Sequence, residues 1–208
     1  MIKVCIADDH EIVREGLKRV LADTKDIKVV SEAASMEEAY NSLAREAVDV
    51  IILDVNMPGF EGTKSVSNLL ARKPGTKIII FTMYGEDSHA VSFLRAGAYS
   101  FINKKLPMQE LINAIRKVSS GKRYITPTVA EYLFEYGIDI EKKPHESLSE
   151  REYQVFLRLA QQANPTKIAE EMSLSVSTVN TYVQRIKLKL GVRTILQIVD
   201  YARSNGIS

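Results

Sequence analysis

The chain has 208 residues, of which 45% are hydrophobic, and 28 Lys+Arg against 26 Asp+Glu leave a formal net charge of +2. That length suits one or two domains with ordinary apolar cores. A single cysteine excludes a disulfide framework, and the opening residues, a lone Lys3 before an apolar stretch cut off at Asp8 and Asp9, read neither as a signal peptide nor as a membrane span, so a cytoplasmic protein without a membrane partner is expected.

In chain order, the first predicted element is a strand over IKVCIA (2–7), with Cys5 as a reduced, buried small hydrophobe. Apolar runs recur at IKVVSEA (27–33), VDVIILD (48–54), KIIIFT (77–82) and SFINK (100–104), and these read as further strands. Between them helical spacing groups Ile12, Val13, Leu17 and Leu21, then Ala39, Leu43 and Ala47, then Val66, Leu69 and Leu70, then Val91 and Leu94, then Leu111, Ile112, Ile115 and Val118. The middle strands are near-continuous Val/Ile runs without polar alternation, so both faces must be covered. That is the pattern of a parallel, doubly wound α/β sheet.

In such a sheet ligands bind beyond the carboxyl ends of the strands. Those ends carry Asp8 and Asp9, Asp54, Thr82 and Lys104, which are expected to share one rim. Clustered carboxylates repel one another, and an oxygen-rich anionic site suits Mg2+. With Mg2+ bound, Asp54 is placed to attack a phosphoryl group as a carboxylate nucleophile, Lys104 to neutralise the transferring oxygens and Thr82 to hydrogen-bond the product. The Asn-Met-Pro-Gly turn after Asp54 lets the backbone carbonyl of Asn56 face the metal. Each residue alone has a plainer reading: Asp8 or Asp9 as a helix cap, Thr82 as an ordinary strand residue. His10, His89 and His145 show no mutual spacing for a metal site.

Together the pieces resemble the receiver domain of bacterial response regulators. The match is carried by Asp8-Asp9, by LDVNMPGFEG with Met57-Pro58 and Gly62, by Thr82 after IIIF, by AGA at 96–98 and by FINK ending in Lys104. The resemblance implies a flavodoxin-like (βα)5 fold in which a histidine kinase's phosphohistidine phosphorylates Asp54. It further implies that Asp9, Asp54 and the Asn56 carbonyl hold Mg2+ with Asp8 assisting, and that Thr82 and Phe101 form a switch pair. Lys104-Lys105-Leu106-Pro107 departs from the Lys-Pro found in many receivers; Lys104 is expected in the site and Lys105 in solvent.

After Gly121, a plausible C-cap for the fifth helix, PTVAEYLFEYG (127–137) reads as one more helix, and its Tyr132, Leu133, Phe134 and Tyr136 are expected to pack. IDIEKKPHES (138–147) reads as a tether. The expected division is 1–122 for the receiver, 123–144 for a linker with one short helix and 145–208 for a second domain.

That second domain reads as all-α, with four short helices. LSEREYQVFLRLAQQ opens on a capping box, Ser149 with Glu152, and sets Tyr153, Phe156, Leu157, Leu159 and Ala160 on an apolar stripe. PTKIAEEMSL turns Ile168, Ala169 and Met172 inward, SVSTVNTYVQRIKLKLG turns Val179, Val183, Ile186 and Leu190 inward, and TILQIVDYARSNG follows. Two short helices and a tight turn, the second with a polar outer face, form a helix-turn-helix. Residues 1–122 carry 17 Lys+Arg against 16 Asp+Glu, whereas Arg185, Lys187, Lys189 and Arg193 have no acidic neighbour between 176 and 193, as a nucleic-acid contact would require. Thr178, Asn180, Thr181, Gln184 and Arg185 are the positions expected to reach base edges and phosphates of DNA, with Lys187 and Lys189 further along for phosphates.

LSERE, IA, LS, TV and KLGV, in register, make this half similar to the LuxR-type helix-turn-helix of NarL/FixJ-class response regulators. Asn180 and Tyr182 replace the lysine and histidine common there, so a target sequence does not carry over from the family. The resemblance implies a transcription regulator, not an enzyme, that binds double-stranded DNA as a homodimer once phosphorylated, with RNA polymerase a further candidate partner. The alternatives are phosphorylation-independent or partner-dependent regulation on the same fold, an aspartate-nucleophile phosphatase, for which Asp54-Val55-Asn56 is the wrong motif, and an RNA-binding output, for which the stacking aromatics are missing.

Overall fold

The apolar runs assemble as parallel strands β1 (Ile2–Ala7), β2 (Ile27–Ala33), β3 (Val50–Leu53), β4 (Lys77–Thr82) and β5 (Ser100–Asn103), in the order β2-β1-β3-β4-β5. The computed structural model describes residues 1–85 and 88–207 and resolves the chain into two units, Met1–Ala130 and Glu131–Ser208. In the first, the strands are joined by α1 (Glu11–Ala22), α2 (Met36–Arg45), α3 (Thr63–Arg72) and α4 (Ser88–Arg95), and α5 (Met108–Ser119) follows β5. Because strand side chains alternate, Val4, Ile6, Val50, Ile52, Ile79 and Phe81 form one core with Leu17 and Leu21 of α1 and Leu111, Ile115 and Val118 of α5. The alternate set, Cys5, Ile51, Leu53, Ile78 and Ile80, is buried on the other face. Burial pushes the Cys5 thiol up to about 11, so it stays an inert part of the core.

The α1 stripe differs from the expectation at one position. Ile12 is 82% exposed, while Val13, Leu17, Val20 and Leu21 turn inward. Five positions before Leu17, Ile12 lies about 140° around the helix from it and cannot share its face. The AGA motif has a steric reason: Gly97 turns the chain from α4 into β5 at φ +105°, and a Cβ there would collide with the Leu70 side chain.

Beyond α5 the chain returns to the sheet. Tyr124 N–H donates to the Tyr99 carbonyl (3.0 Å) and Ser100 Oγ donates to the Tyr124 carbonyl (2.7 Å), so an extended stub lies along β5. The Tyr124 hydroxyl donates to the Glu110 carboxylate of α5; burial, then that carboxylate, push the phenol up to about 12. The next helix, α6 (Pro127–Glu135), buries Val129, and the Tyr132 and Tyr136 rings meet at 4.7 Å. Phe134, expected to pack, is instead 91% exposed. The run around it is apolar on more sides than one short helix can bury.

The second unit contains α7 (Glu150–Ala160), α8 (Pro165–Met172), α9 (Val176–Leu190) and α10 (Ile195–Ser204), preceded by a 3-10 turn at Pro144–Ser147. Phe156, Leu159, Ile168, Val179, Val183, Ile186, Leu190, Ile198 and Ala202 make its core. Tyr153 sits at the margin, 36% exposed, and Val155 takes the inward place. Ser149 with Glu152, Asn164 and Ser175 cap α7, α8 and α9, and a second capping box, Thr194 with Gln197, opens α10. Left-handed Ser173 ends α8 and turns the chain into α9.

Candidate functional site

Backbone pairing fixes the acidic rim before any side chain is considered. Asp8 N–H donates to the Ala33 carbonyl (3.0 Å), Asp54 N–H to Ala7 (2.8 Å) and Lys104 N–H to Thr82 (2.8 Å), so each ladder runs one residue past its strand and stops at a functional group. Asp8 and Asp54 are each 2% exposed. Lys104 Nζ stands 2.6 Å from Asp8 Oδ2 and 3.1 Å from Asp54 Oδ1. It is Lys104 that enters the pocket; Lys105 is exposed, its N–H donating to Asn103 Oδ1.

Asp54 Oδ2 accepts from Asn56 N–H (3.2 Å), whereas its buried Oδ1 has no hydrogen bond among the described residues and faces the Lys104 ammonium as an ion pair. Asp9 and Asn56 lie at the solvent edge. Thr82 is fully buried and its Oγ1 accepts from Tyr84 N–H (3.3 Å). Phe101 is also buried, its ring 6.0 Å from that of Phe93.

Among the described residues, three carboxylates against one ammonium leave the pocket anionic. Like charges held together favour a bound cation, and an oxygen donor set with one unsatisfied buried oxygen fits a hard divalent ion. One residue of the rim escaped the sequence reading. The His10 ring, for which spacing to His89 and His145 gave no metal site, is exposed as a surface residue and yet lies with Nδ1 2.7 Å from Asp9 Oδ1 and 3.3 Å from Asp8 Oδ1. Its adjacency to Asp8-Asp9 was the available signal.

On α9, Val179, Val183, Ile186 and Leu190 are buried and Asn180, Thr181, Gln184 and Arg185 exposed, with Lys187 intermediate. Two of the expected readers use their hydroxyls within the helix: Thr178 Oγ1 is 2.7 Å from the capping Ser175 Oγ, and Thr181 Oγ1 donates to the Ser177 carbonyl (3.1 Å). Lys189 is a correction. It is 7% exposed, and Nζ donates to Glu152 Oε2 (2.8 Å) and to the Ser147 carbonyl (3.0 Å), so it is a core ion-pair partner and not a phosphate contact. Three positions after Ile186, it shares the inward face. Burial alone would raise the Glu152 carboxyl, but the Lys189 ammonium and the hydrogen bonds with Ser149 outweigh it and hold the group below the usual carboxylate range.

Residues 4–116 match the family described as the response regulator receiver domain, and residues 146–202 that described as bacterial regulatory proteins, luxR family. Response regulator UvrY of Escherichia coli (strain K12) is 37% identical over 209 residues, an alignment that covers 100% of this chain and 96% of UvrY. Response regulator GacA of Pseudomonas aeruginosa is 37% identical over 210 residues, 100% of this chain and 98% of GacA. Among solved structures, RcsB from Salmonella enterica serovar Typhimurium, bound to promoter rprA in the presence of phosphomimetic BeF3-, superposes with a TM-score of 0.65 at 25% identity over 99% of this chain and 100% of that one.

Proposed function

Since the chain belongs to the response regulators, as a two-component transcription regulator that joins a receiver to a LuxR-type DNA-binding domain, we propose that Asp54 takes a phosphoryl group from a sensor kinase's phosphohistidine and that this controls DNA binding. The observation that carries the proposal is Asp54 Oδ1: buried, without a hydrogen-bond donor, and beside the only ammonium that enters the pocket among the described residues. In the transfer this oxygen forms the new bond to phosphorus as the phosphorus–nitrogen bond of the donor breaks, while Asn56 N–H holds Oδ2. Lys104, already between Asp8 and Asp54, is positioned to pair with the added phosphoryl oxygens. Asp9, Asp54 and the Asn56 carbonyl, with Asp8 assisting, would hold Mg2+, which when bound offsets negative charge on the transferring oxygens.

Phosphorylation adds about two negative charges to a pocket that is already anionic. Thr82, within reach of the ladder that carries Lys104, would then turn its hydroxyl toward the phosphoryl group and Phe101 would follow as its switch partner. Reading 1–122 as the receiver, 123–144 as the linker and 145–208 as the output domain, the signal passes from β4 and β5 into the linker.

On DNA, Asn180 and Gln184 present amides suited to adenine, Arg185 and Lys187 meet phosphates, and Thr178 and Thr181 lie close to the backbone. A homodimer on paired half-sites is the expected binding form; the solved structures include one of two RcsB dimers bound to two parallel DNAs. RNA polymerase is the further partner of a transcription regulator so placed. The protein works in the cytoplasm, and among the described residues no helix is long and apolar enough to cross a membrane.

The test is binding of the purified full chain to genomic DNA fragments with and without Mg2+ and a small-molecule phosphodonor, beside Asp54→Ala. Phosphodonor should tighten selective binding in the parent alone. Equal binding in every arm refutes the switch, and binding in none refutes the DNA assignment.

A further inference from the structure

The first turns of α9 spend their hydroxyls on the helix itself. Ser175 Oγ, the cap, accepts from Thr178 N–H (3.1 Å) and lies 2.8 Å from Ser177 Oγ and 2.7 Å from Thr178 Oγ1. Thr181 Oγ1 donates to the Ser177 carbonyl one turn back (3.1 Å), although the residue is exposed. With its hydroxyl turned to the helix, what Thr181 adds to the outer face is its methyl group. A second apolar group stands nearby: Val176, the first residue of α9, is 42% exposed and lies outside the core of this unit, while Val179 and Val183 are buried in it.

Position decides what these methyls can reach. Val176 lies four residues before Asn180 and Thr181 three before Gln184, so each is a helix-face neighbour of one exposed amide. Five residues separate the two, about 7.5 Å along the axis and about 140° around it, so they flank the amides on opposite sides and meet different base pairs. A recognition helix contacts base edges with its N-terminal residues, and in the major groove thymine alone presents a methyl group, whose complement is an apolar side chain. Resting on the reading of α9 as the DNA-reading helix, we propose that Val176 and Thr181 select thymine by methyl-to-methyl contact, beside the adenines read by Asn180 and Gln184. Thr181 then acts through its methyl and not through its hydroxyl, and Val176, which offers no hydrogen bond, determines specificity. The gain is the burial of apolar surface on both partners, which cytosine, lacking the methyl, does not return.

The experiment uses the full chain, with Mg2+ and phosphodonor in every arm, and a duplex obtained by binding-site selection. Affinity is measured for the parent, Thr181→Val, Thr181→Ser and Val176→Ala, on that duplex and on copies in which one thymine at a time is replaced by deoxyuridine, which removes the methyl group and keeps the pairing. In the parent, replacement at two thymine positions of a half-site should weaken binding about fourfold each, the worth of one buried methyl-sized group. Thr181→Val, which keeps the methyl and loses the hydroxyl, should bind and discriminate like the parent. Thr181→Ser should bind the unmodified duplex about fourfold more weakly and no longer sense one of the replacements, and Val176→Ala should no longer sense the other. Because the replacements leave the protein untouched, no folding defect can imitate them. A parent indifferent to every replacement overturns the proposal, as does Thr181→Val weakened as much as Thr181→Ser, which returns the role to the hydroxyl. Sensitivity at both thymines that survives in Thr181→Ser and Val176→Ala puts the methyl contact elsewhere and overturns it too. A parent that selects no sequence defeats the underlying reading of α9 instead.

Discussion

Lys104 and Lys189 are both lysines drawn out of solvent toward carboxylates, one in each unit, and their surroundings differ in a single respect. Lys189 meets Glu152 one to one, and each side has a further hydrogen bond: Nζ also donates to the Ser147 carbonyl, and Glu152 Oε2 also accepts from Ser149 N–H. Lys104 meets two buried carboxylates, with Asp9 at the edge, and one Asp54 oxygen has no hydrogen-bond donor. A balanced pair holds a fold together; an unbalanced one leaves net negative charge at the strand ends, which suits a bound cation.

The contrast is easiest to break at Lys189. Lys189→Ala strands a buried Glu152 and should cost the second unit about 3–5 kcal/mol, read as a shift in urea midpoint, with DNA binding lost through unfolding. The receiver's own unfolding should not move.

Acid probes the same pair from the other side. The Glu152 carboxyl is lowered from 4.5 in the fold, so its contribution is fully present above that value and is lost as pH falls through the lowered one. Amide protection in α7 and α9 should therefore fall as pH drops below 4.5 and through the lowered value, and Glu152→Gln, already destabilised, should show a flatter pH dependence.

The outer face of α9 should behave unlike its buried lysine. Asn180→Ala should change the preferred binding sequence by about 1–3 kcal/mol, whereas Arg185→Ala should weaken all sequences alike and reduce the salt slope by about 1, both measured by titrations against selected and random duplexes. Neither should shift thermal unfolding.

The smallest effect has the opposite sign. Asp54→Asn removes one charge from an over-charged pocket and should stabilise the receiver by about 1 kcal/mol in Mg2+-free buffer, while abolishing phosphorylation. A destabilised Asp54→Asn would mean the two pairs are alike after all.

The same contrast explains what could be read from the sequence. Asp8, Asp54, Thr82 and Lys104 are separated by most of a domain, yet a parallel sheet delivers every strand end to one rim, so topology alone brought them together. Choosing Lys104 over Lys105 rested on the FINK pattern, and the ladder agrees with it, since Lys104 N–H reaches the Thr82 carbonyl. Lys189 was misplaced because a lysine on a helix defaults to solvent, and only Glu152, 37 positions away, reverses that. The His10 contacts were signalled only by its adjacency to Asp8-Asp9, because the rotamer that makes them is not written in the spacing. Ile12 and Phe134 failed for a common reason: short apolar runs contain more hydrophobes than one helix face can bury.

The stub at Tyr124 protects the receiver from its own kind. β5 is the last strand of the sheet, and an open strand edge is a template on which other chains can pair. The Ser100–Tyr124 bridge covers part of that edge with the chain's own backbone. A receiver fragment that ended at residue 122 would leave the edge bare, and its tendency to aggregate would reflect the cut rather than the domain.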